Sequence, residues 1–243
     1  MGKDICIFKR VEKKYIINSA EKDCLINEIG QYLIPDAYGK STICSLYLDT
    51  PNFLLIRNSI DAKTYKEKLR LRCYGTPKTS DKVFLEIKKK YKGVVYKRRV
   101  AMTLEQAYRY IENREKPEES QIMSEIDYSM NFYGNPAPKA LIAYEREAYF
   151  VKDLPNLRLT FDSNVRYRTG DLLLEAGSEG KRILPHGLYI LEIKTDGAMP
   201  MWLAHALDKY SIFPKSFSKY GTAYREFSSI TYNSEGEKEY ATV

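Results

Sequence analysis

The 243-residue sequence predicts an α+β protein built on a closed antiparallel β-barrel of about eight strands with flanking helices. Three observations predict it. Charged and apolar residues alternate along several segments, most clearly in Lys68-Leu69-Arg70-Leu71-Arg72-Cys73. A β-strand sends successive side chains to opposite faces, so each such segment carries one charged and one apolar face. Many of these segments follow one another closely enough to pair as hairpins, with helix signals between others. Finally, no repeat, linker or shift in composition divides the chain. One domain over residues 5–230 is therefore expected, followed by a polar tail over 231–243.

Taken in order, Phe8–Ile17 reads as the first strand and puts Arg10, Glu12 and Lys14 on one face. Ser19 is the expected N-cap of a helix carrying Cys24, Leu25, Ile29, Tyr32 and Leu33 at helical spacing, and Pro35 stops it. A strand over Ile43–Asp49, a short helical turn over Asn52–Asn58 and a strand over Lys66–Tyr74 follow. Val83–Lys90 and Val94–Met102 pair as a hairpin across Gly93. Thr103 with Gln106 makes a capping box for a helix ending at Asn113. A second helix spans Ser120–Tyr133 and closes at Gly134. Strands resume at Ala140–Val151, Leu157–Arg168, Leu172–Glu175 and Tyr189–Thr195. Pro200 suits the first turn of a helix to Tyr210, and a last helix starts near Ser216–Ser218. From Tyr232 the chain is polar and aperiodic, which predicts a frayed tail.

A net charge of +7 points to an acidic partner. No apolar run approaches the roughly 20 residues that cross a bilayer, and Met1–Cys6 lacks the apolar core of a signal peptide. Cys6, Cys24, Cys44 and Cys73 show no CxxC spacing, so free thiols in a reducing, cytoplasmic setting are expected. His186 and His205 are the only histidines and give no basis for a histidine metal cluster or a Ser-His-Asp site. A metal would have to be held by carboxylates, which points to Mg²⁺ or Mn²⁺. The 21 tyrosines are spread through strands and helices, a distribution that fits core packing better than a nucleic-acid surface.

The charged faces read Arg10/Glu12/Lys14, Lys68/Arg70/Arg72, Glu86/Lys88/Lys90, Tyr144/Arg146, Arg158/Thr160/Asp162 and Glu192/Lys194. Cations ~7 Å apart on one strand face repel unless an anion lies across them. The planar fork of arginine suits phosphate oxygens. An outward, solvated face would alternate in the same way, so alternation alone leaves the direction of the charged face open. Glu86 reads as a neutralising partner of its neighbours. Glu192, with Lys194 on the same face, is the best carboxylate for a cation shared with phosphate. Lys215–Tyr220 opens a helix whose N-terminus is either a phosphate site or a plain serine cap. Gly39-Lys40-Ser41-Thr42 looks like the end of a P-loop, but Ile34 stands where the first glycine is required and a strand follows instead of a helix.

Seven segments occur in an order that resembles the catalytic domain of the vacuolar transporter chaperone (VTC) family. They are Arg10–Tyr15, Leu69–Arg72, Leu85–Lys88, Tyr144–Arg146, Arg158–Asp162, Leu191–Lys194 and Phe217–Tyr220, and the resemblance spans Phe8 to Phe227. It implies the antiparallel tunnel of the triphosphate tunnel metalloenzymes (CYTH-like proteins), with the charged face turned inward and Lys68 at the rim. Polymerase members move the terminal phosphate of ATP onto a growing polyphosphate chain. The resemblance assigns the nucleotide phosphates to Arg70, Arg72, Lys88, Arg146 and Arg158, and the acceptor chain to Lys14 and Lys219. Ser218 becomes a neighbouring hydroxyl contact and Glu192 the metal ligand. The wider superfamily often begins Glu-x-Glu-x-Lys, whereas this chain has Arg10-x-Glu12-x-Lys14. Loss of the first acid favours polymerase-like or binding chemistry over hydrolysis. Eukaryotic members carry lysine where Ser216 stands here, which weakens the acceptor contact. Without SPX or membrane domains, the resemblance implies a stand-alone domain of bacterial type, leaving any membrane partner to another chain. The resulting expectation is a polyphosphate polymerase using ATP with Mn²⁺ or Mg²⁺. The alternatives are a tripolyphosphate or nucleoside triphosphate hydrolase, and a non-catalytic polyphosphate or inositol-phosphate binding module.

Overall fold

The computed structural model describes residues 11–62, 64–92 and 94–239, with side chains to residue 229. Arg10 and Cys6 therefore lie outside the described residues. The chain alternates strands and helices: β1 (Val11–Asn18), α1 (Ser19–Ile29), β2 (Leu33–Pro35), β3 (Ser41–Asp49), α2 (Leu54–Asp61), β4 (Tyr65–Tyr74), β5 (Lys82–Tyr91) and β6 (Val94–Thr103). There follow α3 (Leu104–Asn113), α4 (Gln121–Phe132), β7 (Ala137–Val151), β8 (Leu154–Arg168), β9 (Lys181–Arg182), β10 (Leu188–Thr195), α5 (Met201–Lys209) and α6 (Lys219–Glu239).

The ten strands of the described residues form one antiparallel sheet in the order β1-β10-β8-β7-β3-β4-β5-β6, with β2 on β7 and β9 on β8. Among the described residues the expected closed barrel is not formed: strands β1 and β6 are the two ends of the sheet and do not pair with each other. Alternation fixes which face a side chain takes, whereas closure depends on tilt and stagger that alternation does not encode. Here side chains and a connecting segment span the opening instead. Lys88 on β5 reaches Glu12 on β1 at 3.0 Å. Residues 213–218 are tied to both walls: the Lys215 N–H donates to the Lys14 carbonyl (2.7 Å), and Lys68 Nζ donates to Ser218 Oγ (3.0 Å).

The apolar faces of the strands are buried under helices. Leu69, Leu71, Val83, Leu85 and Ile87 pack with Tyr110, Met123, Ile126 and Met130 of α3 and α4. Tyr15, Leu159, Phe161, Leu191 and Ile193 pack with Leu25, Ile29, Leu203 and Leu207 of α1 and α5. A third cluster fills part of the inner side, where Tyr47, Ile142, Tyr144, Val165 and Tyr167 meet Ile56 of α2 and Tyr220 and Ala223 of α6.

One irregularity separates the charged and apolar parts of the inner face. Asn164 (φ 49°) and Val165 of β8 together oppose the single residue Tyr144, which makes a β-bulge. Before it Arg158, Thr160 and Asp162 share a face. After it the parity switches, so Val165 and Tyr167 point inward. Asn164 suits the left-handed position and donates its side-chain N–H to Glu145 at 2.8 Å.

Several boundaries differ from those the sequence predicts. The cap of α1 is Asn18, not Ser19: Asn18 accepts from the Glu21 N–H and Glu21 accepts from the Asn18 N–H, a full capping box. The helix stops at Ile29, and the chain then makes a 3₁₀ turn and the short β2. Leu172–Glu175 is not a strand. A 3₁₀ turn occupies Leu174–Ala176, and Arg168 donates to the carbonyls of Asp171, Leu173, Gly177 and Glu179, satisfying loop backbone that a ladder would otherwise serve. Helix α6 runs on to Glu239, past the Tyr232 at which the sequence predicts a tail. The capping box at Thr103 and Gln106 forms as expected. Cys24, Cys44 and Cys73 are free thiols. Among the described residues, no helix is long and apolar enough to cross a membrane.

Candidate functional site

The charged face of the sheet turns inward around a cavity of about 670 Å³. Among the described residues its lining holds thirteen lysines and arginines against two carboxylates, Glu12 and Glu192. The strand pleat explains the concentration. Lys66, Lys68, Arg70 and Arg72 alternate with Glu67, Leu69 and Leu71, so burying the leucines forces the cations onto the cavity wall.

Two buried acids behind the wall hold the guanidinium groups. Glu86, 1% exposed, accepts from Arg70 Nε (2.8 Å) and pairs with Lys97 Nζ (2.6 Å). Burial alone would raise its pKa, but Arg70, Arg72 and Lys97 overcome that and hold it at about 2. Arg72 is further oriented by Ser45 Oγ (3.2 Å) and the Tyr144 hydroxyl (3.3 Å). Asp162 accepts a bidentate pair from Arg146 (2.6 and 2.8 Å) and a bond from Lys219 Nζ (2.5 Å). These arginines are thus fixed before any ligand arrives.

The opposite wall carries the carboxylates. Glu192 pairs with Lys194 (2.9 Å) and Lys14 (3.6 Å), while Lys14 Nζ donates to the Phe217 carbonyl (3.0 Å). Burial disfavours the Glu192 charge, yet Lys194, Lys14 and Lys219 hold its pKa well below the usual range. Glu12 is also held low, its burial outweighed by Lys88 and Lys194. Ser218 caps α6 by accepting from the Gly221 N–H (3.2 Å) and receives Lys68 Nζ on the same oxygen.

An excess of positive charge shows in two other groups. Burial, together with Lys14, Lys88 and Arg70, depresses Lys68 to about 8. Burial raises the phenol of Tyr47, but Arg70, Lys68 and Arg72 more than reverse this and bring it to about 7. A site with such a field is built to be neutralised by an anion.

Of the residues singled out from sequence, Lys14, Arg70, Arg72, Lys88, Arg146, Glu192, Ser218 and Lys219 all line the cavity. Arg158 does not. Its guanidinium turns to Asp36 (2.5 Å) and lies 4.8 Å from the centre of the Phe150 ring. Lys68, expected at the rim, points into the cavity and joins β4 to the cap of α6. Tyr47, Tyr144, Asp162 and Lys194 also belong to the site, beyond the residues the sequence singles out. Tyr144, Asp162 and Lys194 stand on the same charged rows as Arg146, Arg158 and Glu192, so parity points to them, whereas nothing in the sequence marks Tyr47. The P-loop-like Gly39–Thr42 leads into β3, and Lys40 pairs with Glu145 (2.5 Å).

Among the described residues, no three His, Cys, Asp or Glu side chains converge as a ready-made metal site. Mg²⁺ and Mn²⁺ bound with phosphate take only one or two carboxylates and complete their shells from the substrate and water. Glu192 and Glu12, ionised on adjacent strands of the cavity wall, fit that donor set.

No curated protein matches the sequence. Among solved structures, a proposed adenylate cyclase from Bacillus halodurans aligns at 14% identity over 86% of this chain and 95% of that one, with a TM-score of 0.52. A proposed adenylyl cyclase from Hippeastrum, described with a dominant triphosphatase activity, aligns at 15% identity over 87% and 93%, with a TM-score of 0.50. At these identities the likeness is one of fold alone. The VTC domain family matches residues 9–228, a span holding all ten strands and every cavity-lining residue. The chain belongs to the VTC domain family.

Proposed function

We propose that the protein is a metal-dependent polyphosphate polymerase that passes the terminal phosphate of ATP to a polyphosphate chain inside this cavity. The observation that carries the reading is the lining itself: thirteen cations facing two carboxylates, with its arginines locked from behind by Glu86 and Asp162. Phosphoryl transfer asks for positioning and charge neutralisation rather than a covalent nucleophile. Donors fixed in advance supply both without reorganisation during the reaction. Arg70, Arg72, Lys88 and Arg146 hold the donor phosphates. Lys14, Lys68 and Lys219 gather around Ser218 and Phe217 and orient the acceptor end. Glu192, with Glu12 beside it, is the holder of Mn²⁺ or Mg²⁺, which when bound neutralises charge building on the phosphate oxygens. Arg158, engaged by Asp36, takes a lesser part.

Incubation of the purified protein with ATP and Mn²⁺ is expected to yield phosphate chains resolved by gel electrophoresis. Glu192→Gln is expected to lower the rate by at least ~100-fold, in line with losses on removing a transition-state charge stabiliser. An unchanged rate in that variant would discard the metal role. Orthophosphate without polymer would instead establish hydrolysis, the reading favoured by the triphosphatase activity described for the Hippeastrum protein. Tight metal-independent binding without turnover would mark a binding module.

A further inference from the structure

The inner face of β4, β5 and β6 changes character along its length. One end is made of ammonium groups, with Lys66 opposite Lys90 and Lys68 opposite Lys88. The middle carries Arg70 and Arg72. Beyond them the same face becomes aromatic: Phe84 lies directly opposite Arg72, and Tyr74 is the next residue on that face of β4. Tyr74 remains 52% exposed, and its ring meets Phe84 edge-to-face at 6.0 Å. Arg99, opposite Glu86 on β6, places its guanidinium 4.7 Å from the centre of the Phe84 ring. Arg99 is exposed and pairs with no carboxylate among the described residues.

We propose that Tyr74, Phe84 and Arg99 form a seat for the nucleobase of a nucleoside triphosphate whose phosphates lie on Arg70 and Arg72. The proposal rests on the phosphoryl-transfer reading of the cavity and deepens it by placing the base of the donor. Continuity of the face supports it. Alternate residues on a strand are ~7 Å apart, so Tyr74 stands ~14 Å along the strand from Arg70. An extended nucleoside triphosphate has this polarity, with a flat π-system at one end and phosphates at the other. Aromatic rings and a guanidinium without a carboxylate partner are the groups on which a base stacks, whatever its hydrogen-bonding edge. Inorganic tripolyphosphate offers nothing to this end. The arrangement also sets direction: the base lies at the Tyr74 end, and the growing chain extends toward Lys66 and Lys90.

The test compares two ligands on the full chain, the β,γ-imido analogue of ATP and inorganic tripolyphosphate. Tyr74→Ser and Phe84→Leu are each expected to weaken the nucleotide by about 5-fold or more, the lower bound for loss of one base stack. Tripolyphosphate affinity should stay the same in both. The fluorescence of 2-aminopurine riboside triphosphate should be quenched on binding to the wild-type chain, and ATP should reverse the quenching. Because Tyr74 is half exposed, its variant keeps the test valid if Phe84→Leu fails to fold. Equal losses for both ligands, no loss, or an unquenched probe would show that the three residues are only a surface cation–π cluster. Wild-type protein that binds tripolyphosphate but not the nucleotide would overturn the seat and leave the phosphate cavity standing. Binding of neither would overturn both.

Discussion

Glu86 is the residue on which the charged wall depends most. It is almost wholly buried, and the three cations around it keep it ionised. Its pKa, about 2 in the fold against an ordinary 4.5, makes its contribution to stability fully present above pH ~4.5 and lost as pH falls toward 2. The linkage is worth ~3 kcal/mol at neutral pH. Acid unfolding should therefore begin as pH drops below 4.5, and Glu86→Gln should flatten that part of the stability–pH curve. The same variant leaves Arg70, Arg72 and Lys97 facing one another without a counter-charge. Breaking a buried pair in this way costs about 3–5 kcal/mol, readable as a lowered urea midpoint. Arg158 offers the opposite case. With Asp36 and Phe150 holding it away from the cavity, Arg158→Gln is expected to reduce turnover far less than Arg70→Gln, as paired steady-state rates would show.

At the scale of elements, the bulge at Asn164 decides where the charged wall stops. Without it β8 would send Asn164 and Arg166 inward, where Val165 and Tyr167 now pack against α6. Asn164→Ala puts a Cβ-bearing residue without a compensating side-chain bond at φ 49° and is expected to cost ~1–2 kcal/mol. Asn164→Gly should recover most of the loss, so thermal melting of the pair separates backbone strain from the lost bond to Glu145. The bulge also marks how far the sequence could be read. Strict alternation in β4, β5 and β10 gave their faces and nearly their boundaries, because burial of one face leaves the pleat no alternative. One inserted residue in β8 left no trace in composition or spacing. The cap of α1 lies one position before the one the sequence predicts because Asn18 and Ser19 are both good caps and only Glu21, three residues after Asn18, distinguishes them. Closure and the inward turn of Lys68 depend on the twist of the whole sheet and on residues 213–218, which lie far from β4 in sequence.

For the molecule as a whole, the cavity is a reservoir of unneutralised charge, and that makes ligand binding and protonation one process. Lys68 titrates at about 8 and Tyr47 at about 7, so above these values the cavity loses an ammonium charge and gains a phenolate. Both changes weaken its hold on an anion. Tripolyphosphate affinity should therefore be greatest below pH 7 and fall steadily toward pH 9. A bound polyanion reverses the shifts, because negative charge beside Lys68 and Tyr47 favours the protonated form of each. Binding at pH 8 must then take up protons. Calorimetric titration in buffers of different ionisation enthalpy measures that uptake directly. Tyr47→Phe should remove part of it and flatten the affinity curve between pH 7 and 8, while Lys68→Met should remove the part centred near 8. A ligand that holds the two sides of an unclosed sheet together should also stabilise the fold. At a free concentration 100 times its dissociation constant it adds about 2.7 kcal/mol, a rise in melting temperature that should shrink as salt screens the cavity. Buffer-independent heats at pH 8 would show that the anion binds away from Lys68 and Tyr47 and would overturn the cavity as the proposed triphosphate site.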